Sequence, residues 1–143
     1  MTDARAAEFS LPLRVYIEDT DAGGIVFYVN YLKFMERART EYMRSLGLPR
    51  ERIFSSEMMF VVTRVNVAYR APARLDDELE VSAHIVEVGG ASLALEQAVC
   101  RGRETLVTAE VDLACVSPAT LMPRRIPRDM LATLRAAHDM RQT

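Results

Sequence analysis

Glu18, Asp19 and Asp21 place carboxylates immediately ahead of Gly23-Gly24, a pair suited to a sharp turn, and from Asn30 the sequence takes the period of an amphipathic helix. A helix start presents unpaired N–H groups and the positive end of the macrodipole, so a negative charge developing on a ligand is stabilised there. A carboxylate held close by can then act on water or on a substrate. Two plainer readings stand beside this one. Asp19 and Asp21 are also good turn and capping residues. Asp19-Thr-Asp21 imitates the opening of a calcium loop, but Gly23 at its fifth position and Asn30 at its twelfth cannot supply the expected ligands.

The elements that must position these groups follow from hydrophobic period. Leu11, Leu13, Val15 and Ile17 alternate over residues 11–18 and predict an opening strand. From Asn30 to Leu46 the residues Tyr31, Phe34, Met35, Ala38, Tyr42 and Leu46 form one helical stripe, with Lys33, Arg37, Glu41 and Arg44 off it. Gly47 and Pro49 stop that helix. Arg37 and Glu41 are spaced for a solvated ion pair worth about 0.2–0.5 kcal/mol. Strands follow: Val61, Thr63, Val65, Val67 and Tyr69 alternate with Val62, Arg64, Asn66, Ala68 and Arg70, residues 78–88 and 92–101 meet at Gly89-Gly90, and Val107, Ala109, Val111, Leu113 and Cys115 alternate after the Arg101-Gly102-Arg103 turn. Beyond Pro118, Pro123 and Pro127, residues 128–138 predict a short terminal helix. The order is α+β, one long helix against an antiparallel meander.

At 143 residues, half of them hydrophobic, the chain fits a single domain with a real core, and residues 1–143 are read as one unit. A net charge of −2 gives no sign of nucleic-acid binding. The first residues lack the basic-then-apolar order of a signal peptide and no apolar run approaches a membrane span, so the expected location is the cytoplasm. Cys100 and Cys115 occur singly, without zinc or disulfide spacing.

The segments Glu18-Asp-Thr-Asp-Ala-Gly-Gly24, Tyr31-Leu-Lys-Phe-Met-Glu-Arg-Ala-Arg-Thr-Glu41, Tyr69-Arg-Ala-Pro-Ala-Arg-Leu-Asp-Asp-Glu-Leu79 and Gly89-Gly-Ala-Ser92 resemble hotdog-fold acyl-CoA thioesterases. The nearest branch is the 4-hydroxybenzoyl-CoA thioesterase-like family, including the bacterial Tol-Pal-associated enzymes, and the resemblance spans about residues 11–127. It implies a central helix wrapped by a five- or six-stranded antiparallel sheet, hydrolysis of acyl-CoA to free acid and coenzyme A, and a homodimer or homotetramer with sites at the subunit interface. It places the catalytic aspartate on Asp21 and the oxyanion donor on the backbone N–H of Tyr28. The Tol-Pal-associated branch usually carries histidine where this chain has Tyr28, whereas the 4-hydroxybenzoyl branch carries tyrosine.

Thioester hydrolysis needs activated water or a carboxylate nucleophile, together with stabilisation of the thioester oxygen as it gains charge. No metal or redox cofactor is expected, coenzyme A being part of the substrate. A thiolate leaves readily, so a dedicated histidine acid is less necessary than in amide cleavage. His84 and His138 are far from the motif in sequence, and no nucleophile elbow supports a Ser-His-Asp triad.

By its place in the strand after the helix, Thr63 matches an acyl-pocket position of the 4-hydroxybenzoyl branch; a β-branched strand residue is the equal alternative. Glu36 either faces the acyl end of the pocket or is a solvated helix charge. Arg101, Arg103, Arg124 and Arg125 are candidates for coenzyme A phosphates or ordinary surface arginines. Met58 and Met59 suit an acyl tunnel or flexible core filling. Two other functional classes fit the chain: a hotdog hydratase or dehydratase, which would need a histidine near the carboxylate, and a non-catalytic acyl-CoA binding module.

Overall fold

The computed structural model describes residues 9–142. Strand β1 (Phe9–Arg14) leads through a 3-10 turn at Ile17–Asp19 to helix α1 (Asn30–Ser45), the short helix α2 (Arg50–Ile53), strands β2 (Met59–Tyr69), β3 (Glu78–Val88), β4 (Ser92–Arg101) and β5 (Glu104–Val116), and helix α3 (Arg128–Gln142). The strands form one antiparallel sheet in the order β1-β3-β4-β5-β2. This is the α+β architecture expected, a five-stranded sheet with α1 on its inner face. Among the described residues no helix is long and apolar enough to cross a membrane.

Alternation sets the inner face of the sheet. Val81, Val99 and Val107 stand in one cross-strand row, Ile85, Leu95 and Val111 in another, and all are buried. Between them runs the row Ala83, Gln97 and Ala109, and there the Gln97 amide donates to the Met35 carbonyl of α1 at 3.0 Å. Small neighbours on that row leave room for the helix backbone to approach. Tyr31, Phe34, Met35, Ala38 and Tyr42 are the buried residues of the predicted helical stripe, with Met43 buried beside them. Gly47, at φ 82°, ends the helix, and the Leu48 N–H reaches back to the Met43 carbonyl at 2.9 Å.

Three expectations are corrected. The first strand ends at Arg14 and does not continue to residue 18. The Asp19 carboxylate accepts the Tyr16 N–H at 2.9 Å while the Asp19 N–H donates to the Tyr16 carbonyl, so the chain folds into a 3-10 turn and leaves Ile17 exposed. In β2 the register passes from Val62 opposite Leu113 to Arg64 opposite Asp112, making Thr63 a bulged extra residue. Alternation flips there, so Phe60 and Val62 share their face with Val65, Val67 and Tyr69, rather than Val61 and Thr63 doing so. Glu41 pairs with Arg44 at 3.3 Å, three residues on, and not with Arg37.

The two sheet edges differ. β1 is short and carries Pro12, features that discourage further pairing, whereas β2 is eleven residues long, contains no proline and is exposed along most of its length.

Candidate active site

Asp21 opens a four-residue turn. The Gly24 N–H donates to the Asp21 carbonyl at 3.1 Å, the Asp21 N–H donates to the Ile25 carbonyl at 3.0 Å, and Gly24 has φ 76°. The Gly23 N–H donates to Asp21 Oδ1 at 2.8 Å, which fixes the carboxylate over the turn. Asp21 is exposed, and its second oxygen has no hydrogen-bond donor among the described residues.

Asp19, two residues earlier, is buried at 6% exposure and is fully engaged. Its Oδ2 accepts the Tyr16 N–H at 2.9 Å, its Oδ1 accepts the Asn30 side-chain amide at 3.0 Å, and its carbonyl accepts the Phe27 N–H at 3.0 Å. It therefore clamps the acidic turn to the first residue of α1.

The start of α1 has no side-chain cap. The Phe27 N–H is bound to Asp19 and the Asn30 N–H to the Phe27 carbonyl at 2.8 Å, while the N–H groups of Tyr28 and Val29 have no backbone acceptor among the described residues. These are the donors a developing oxyanion would need. The Tyr69 hydroxyl donates to the Tyr28 carbonyl at 3.2 Å, and the rings of Tyr28 and Tyr69 meet edge to face. Below them, the Tyr31 hydroxyl accepts the Ala73 N–H at 2.9 Å, and burial pushes the Tyr31 phenol above its ordinary pKa, keeping it neutral.

The acidic turn is docked on the segment before β3. The Val26 N–H donates to the Ala73 carbonyl at 2.9 Å and the Leu75 N–H to the Gly24 carbonyl at 3.1 Å. That segment is held by Asp77, whose carboxylate takes the Arg74 N–H at 2.8 Å and Arg101 Nη1 at 2.6 Å. Burial alone would raise the Asp77 carboxyl, but these donors and the neighbouring guanidinium charges outweigh it and hold it below the ordinary value. Arg101 is also bound to Glu104 at 2.8 Å, and Arg124 to Glu57, so both have structural partners. Arg103 and Arg125 are exposed.

A cavity of about 510 Å³ opens on the other half of α1, lined by Glu36, Arg39, Thr40 and Met43 of that helix, Arg50, Ile53 and Phe54 around α2, and Phe60, Val62 and Leu113 of the sheet. Glu36 is thus a cavity residue, and an exposed one. Thr63 does not line it; its hydroxyl donates to the Asp112 carbonyl at 3.2 Å. Met58 lies in the core. His84 lies in β3 opposite Glu96, 3.4 Å from its carboxylate, and lines a separate cavity across the sheet with Asn66 and Glu110. Asp21 and Tyr28 border neither cavity; they sit on an open surface with exposed Tyr16, Ile17, Phe27 and Leu75.

Sequence reasoning missed Asn30 and Arg39. Asn30 was readable only as a helix boundary, and its pairing with Asp19 depends on the 3-10 turn. Arg39 borders the apolar stripe, and its partner Gln97 stands in line with the buried Leu93, Leu95 and Val99 of β4, a polar residue out of pattern that was the available signal.

The family model of the thioesterase superfamily matches residues 23–108. The acyl-CoA thioester hydrolase YbgC of Escherichia coli is 42% identical over 125 residues, covering 87% of this chain and 93% of that protein. The acyl-CoA thioesterase YbgC of Haemophilus influenzae is also 42% identical, covering 87% and 92%. Among solved structures, a probable thioesterase from Bartonella henselae superposes with a TM-score of 0.80 at 34% identity, covering 85% of this chain and all of that one.

Proposed function

This chain belongs to the thioesterase superfamily, and we propose that it hydrolyses acyl-CoA thioesters to the free acid and coenzyme A through the Asp21 carboxylate and the N–H groups at the start of α1. The observation that carries the assignment of the site is the pairing of two features. One is an exposed carboxylate fixed on a glycine turn. The other is a helix start whose Tyr28 and Val29 N–H groups have no backbone acceptor among the described residues. Asp19 is excluded as the reacting group because both its oxygens are already bound in the interior.

In this mechanism the thioester carbonyl oxygen lies against the Tyr28 N–H, which stabilises the negative charge of the tetrahedral intermediate. Asp21 either attacks the carbonyl carbon, giving an acyl-aspartyl anhydride that water then opens, or removes a proton from the attacking water. In both routes the C–S bond breaks and coenzyme A departs as thiolate. Neither route draws on a metal or redox cofactor. Placing His84 in a separate cavity disfavours a hydratase using it beside Asp21.

The assembly we propose is a dimer paired along β2, with each site completed by the partner. Its support is the long exposed β2 edge and the open, apolar setting of Asp21 in the single chain. Two free cysteines accord with a reducing, cytoplasmic setting.

A panel of short, long and aromatic acyl-CoAs, with released thiol measured directly, tests the reading. Turnover of at least one thioester that collapses in Asp21→Asn supports it. Tight binding without thiol release would make the chain a binding module.

A further inference from the structure

The cavity on α1 contains a charge that the hydrolysis of a plain acyl chain does not use. The Arg39 side chain is half-buried among Met43, Phe60, Val62 and Leu113. Its hydrogen bond is to a neutral group, the Gln97 Oε1 at 2.9 Å, and among the described residues it forms no ion pair. Gln97 is itself pinned, donating to the Met35 and Ser82 carbonyls, so the guanidinium is held in place from behind. Burial pushes the Arg39 pKa down while the Glu36 charge pushes it back up; the group remains a cation that has lost water and gained no counter-ion in contact. A guanidinium has five N–H donors, and one neutral amide leaves most of them available. The lining as a whole sets one carboxylate, Glu36, against two guanidinium groups, Arg39 and Arg50.

Position along the helix says what this cation would meet. Leu32, Glu36, Arg39 and Met43 succeed one another at intervals of three or four residues and so follow one face of α1 from its first turn to the cavity, with Tyr28 two residues before the helix begins. Leu32 and Glu36 on this line are exposed, which keeps the route open. At about 1.5 Å per residue Arg39 lies about 14 Å along the axis from Asn30, the first residue of α1, and because helical side chains lean toward the N-terminus the span from its guanidinium to the N–H groups at the helix start is on the order of 10 Å. An extended carbon chain of C–C bonds near 1.5 Å needs about eight carbons to cover that distance. Aromatic acyl groups of a single ring stop short of it.

Resting on the thioesterase reading above, we infer that Arg39 receives a carboxylate at the far end of the acyl chain, so that the favoured substrates are mono-CoA thioesters of medium-length dicarboxylic acids. A charged pair formed in such a partly dry site gives selectivity of about tenfold or more over the uncharged chain.

The test compares suberyl-CoA with octanoyl-CoA, identical in length and different only at the terminus, and adds succinyl-CoA, whose carboxylate is too near the thioester to reach Arg39. In the native enzyme suberyl-CoA should have the highest kcat/KM of the three, by about tenfold over octanoyl-CoA. Arg39→Gln should abolish that preference while retaining octanoyl-CoA hydrolysis, and Arg39→Lys should restore part of it. Equal kcat/KM for suberyl- and octanoyl-CoA in the native enzyme overturns the inference and leaves the thioesterase reading intact. Equal loss on both substrates in a folded Arg39→Gln variant also overturns it, showing that Arg39 only braces Gln97. If Arg39→Gln does not fold, the native comparison and calorimetric binding of free suberate against free octanoate decide the matter: tighter suberate supports the inference, equal or weaker suberate overturns it. Failure to hydrolyse any acyl-CoA strikes the thioesterase reading itself and this inference with it.

Discussion

Two carboxylates two residues apart have opposite physical situations. Asp19 accepts separate donors on its two oxygens and is buried, so Asp19→Asn leaves one donor facing an amide N–H. That loss should cost about 1–3 kcal/mol of stability, read as a lowered urea midpoint, with turnover of the folded fraction much less affected than by the Asp21 change. Asp21 is exposed and accepts the Gly23 N–H on one oxygen, a contact an asparagine side chain keeps. Asp21→Asn should therefore fold normally and lose about 10²–10⁴-fold in kcat. If Asp21→Asn melts the protein while its folded fraction keeps full specific activity, the carboxylate is a turn residue only. At Tyr28 the working group is the backbone N–H, so Tyr28→Phe should keep most activity. Tyr28→Pro should lose about 10²–10³-fold in kcat through the missing donor. Equal loss from both would move the role to the phenol.

Elements decide how these groups are presented. β2 changes face at Thr63, and the change puts Phe60 and Val62 beside α1 and the cavity while Val65 and Tyr69 remain half-exposed along the sheet edge. A strand of this length without proline is a ready template for a second copy. Val65→Lys adds a charge on that edge, where β-sheet proteins use lysine to block pairing. Sedimentation at micromolar concentration should show the native chain as a dimer or larger and the variant shifted toward monomer, with activity falling in parallel. A native monomer retaining full activity on dilution would refute the shared site.

Across the whole molecule, the Asp77–Arg101 contact links the segment carrying the Asp21 turn to the β4–β5 end of the sheet. The Asp77 carboxyl titrates below its ordinary value in the folded state, burial being outweighed by its donors. The stabilisation is thus fully present above the unfolded carboxyl pKa of about 3.9 and is lost as pH falls through the lower folded value. Urea titrations of the native chain and Asp77→Asn should differ at pH 6, and the gap should close as pH drops below about 4. A gap that stays constant to low pH would assign the effect to packing.

Much of the chain could be read from local pattern. Strands β3 to β5, the Gly89-Gly90 and Gly102 turns and the buried face of α1 follow from period and from residues that turns require, which are properties of neighbours in sequence. The motifs around Asp21 and Tyr31 also carried the family, which the matches bear out. Tertiary structure alone decided the rest, because it depends on partners far apart in the chain. The Thr63 bulge is set by pairing with β5, the distinct situations of Asp19 and Asp21 by a 3-10 turn and Asn30, and the half-buried charge of Arg39 by Gln97, 58 residues away. Alternation cannot foresee a bulge, and a carboxylate in sequence carries no mark of which donors will reach it.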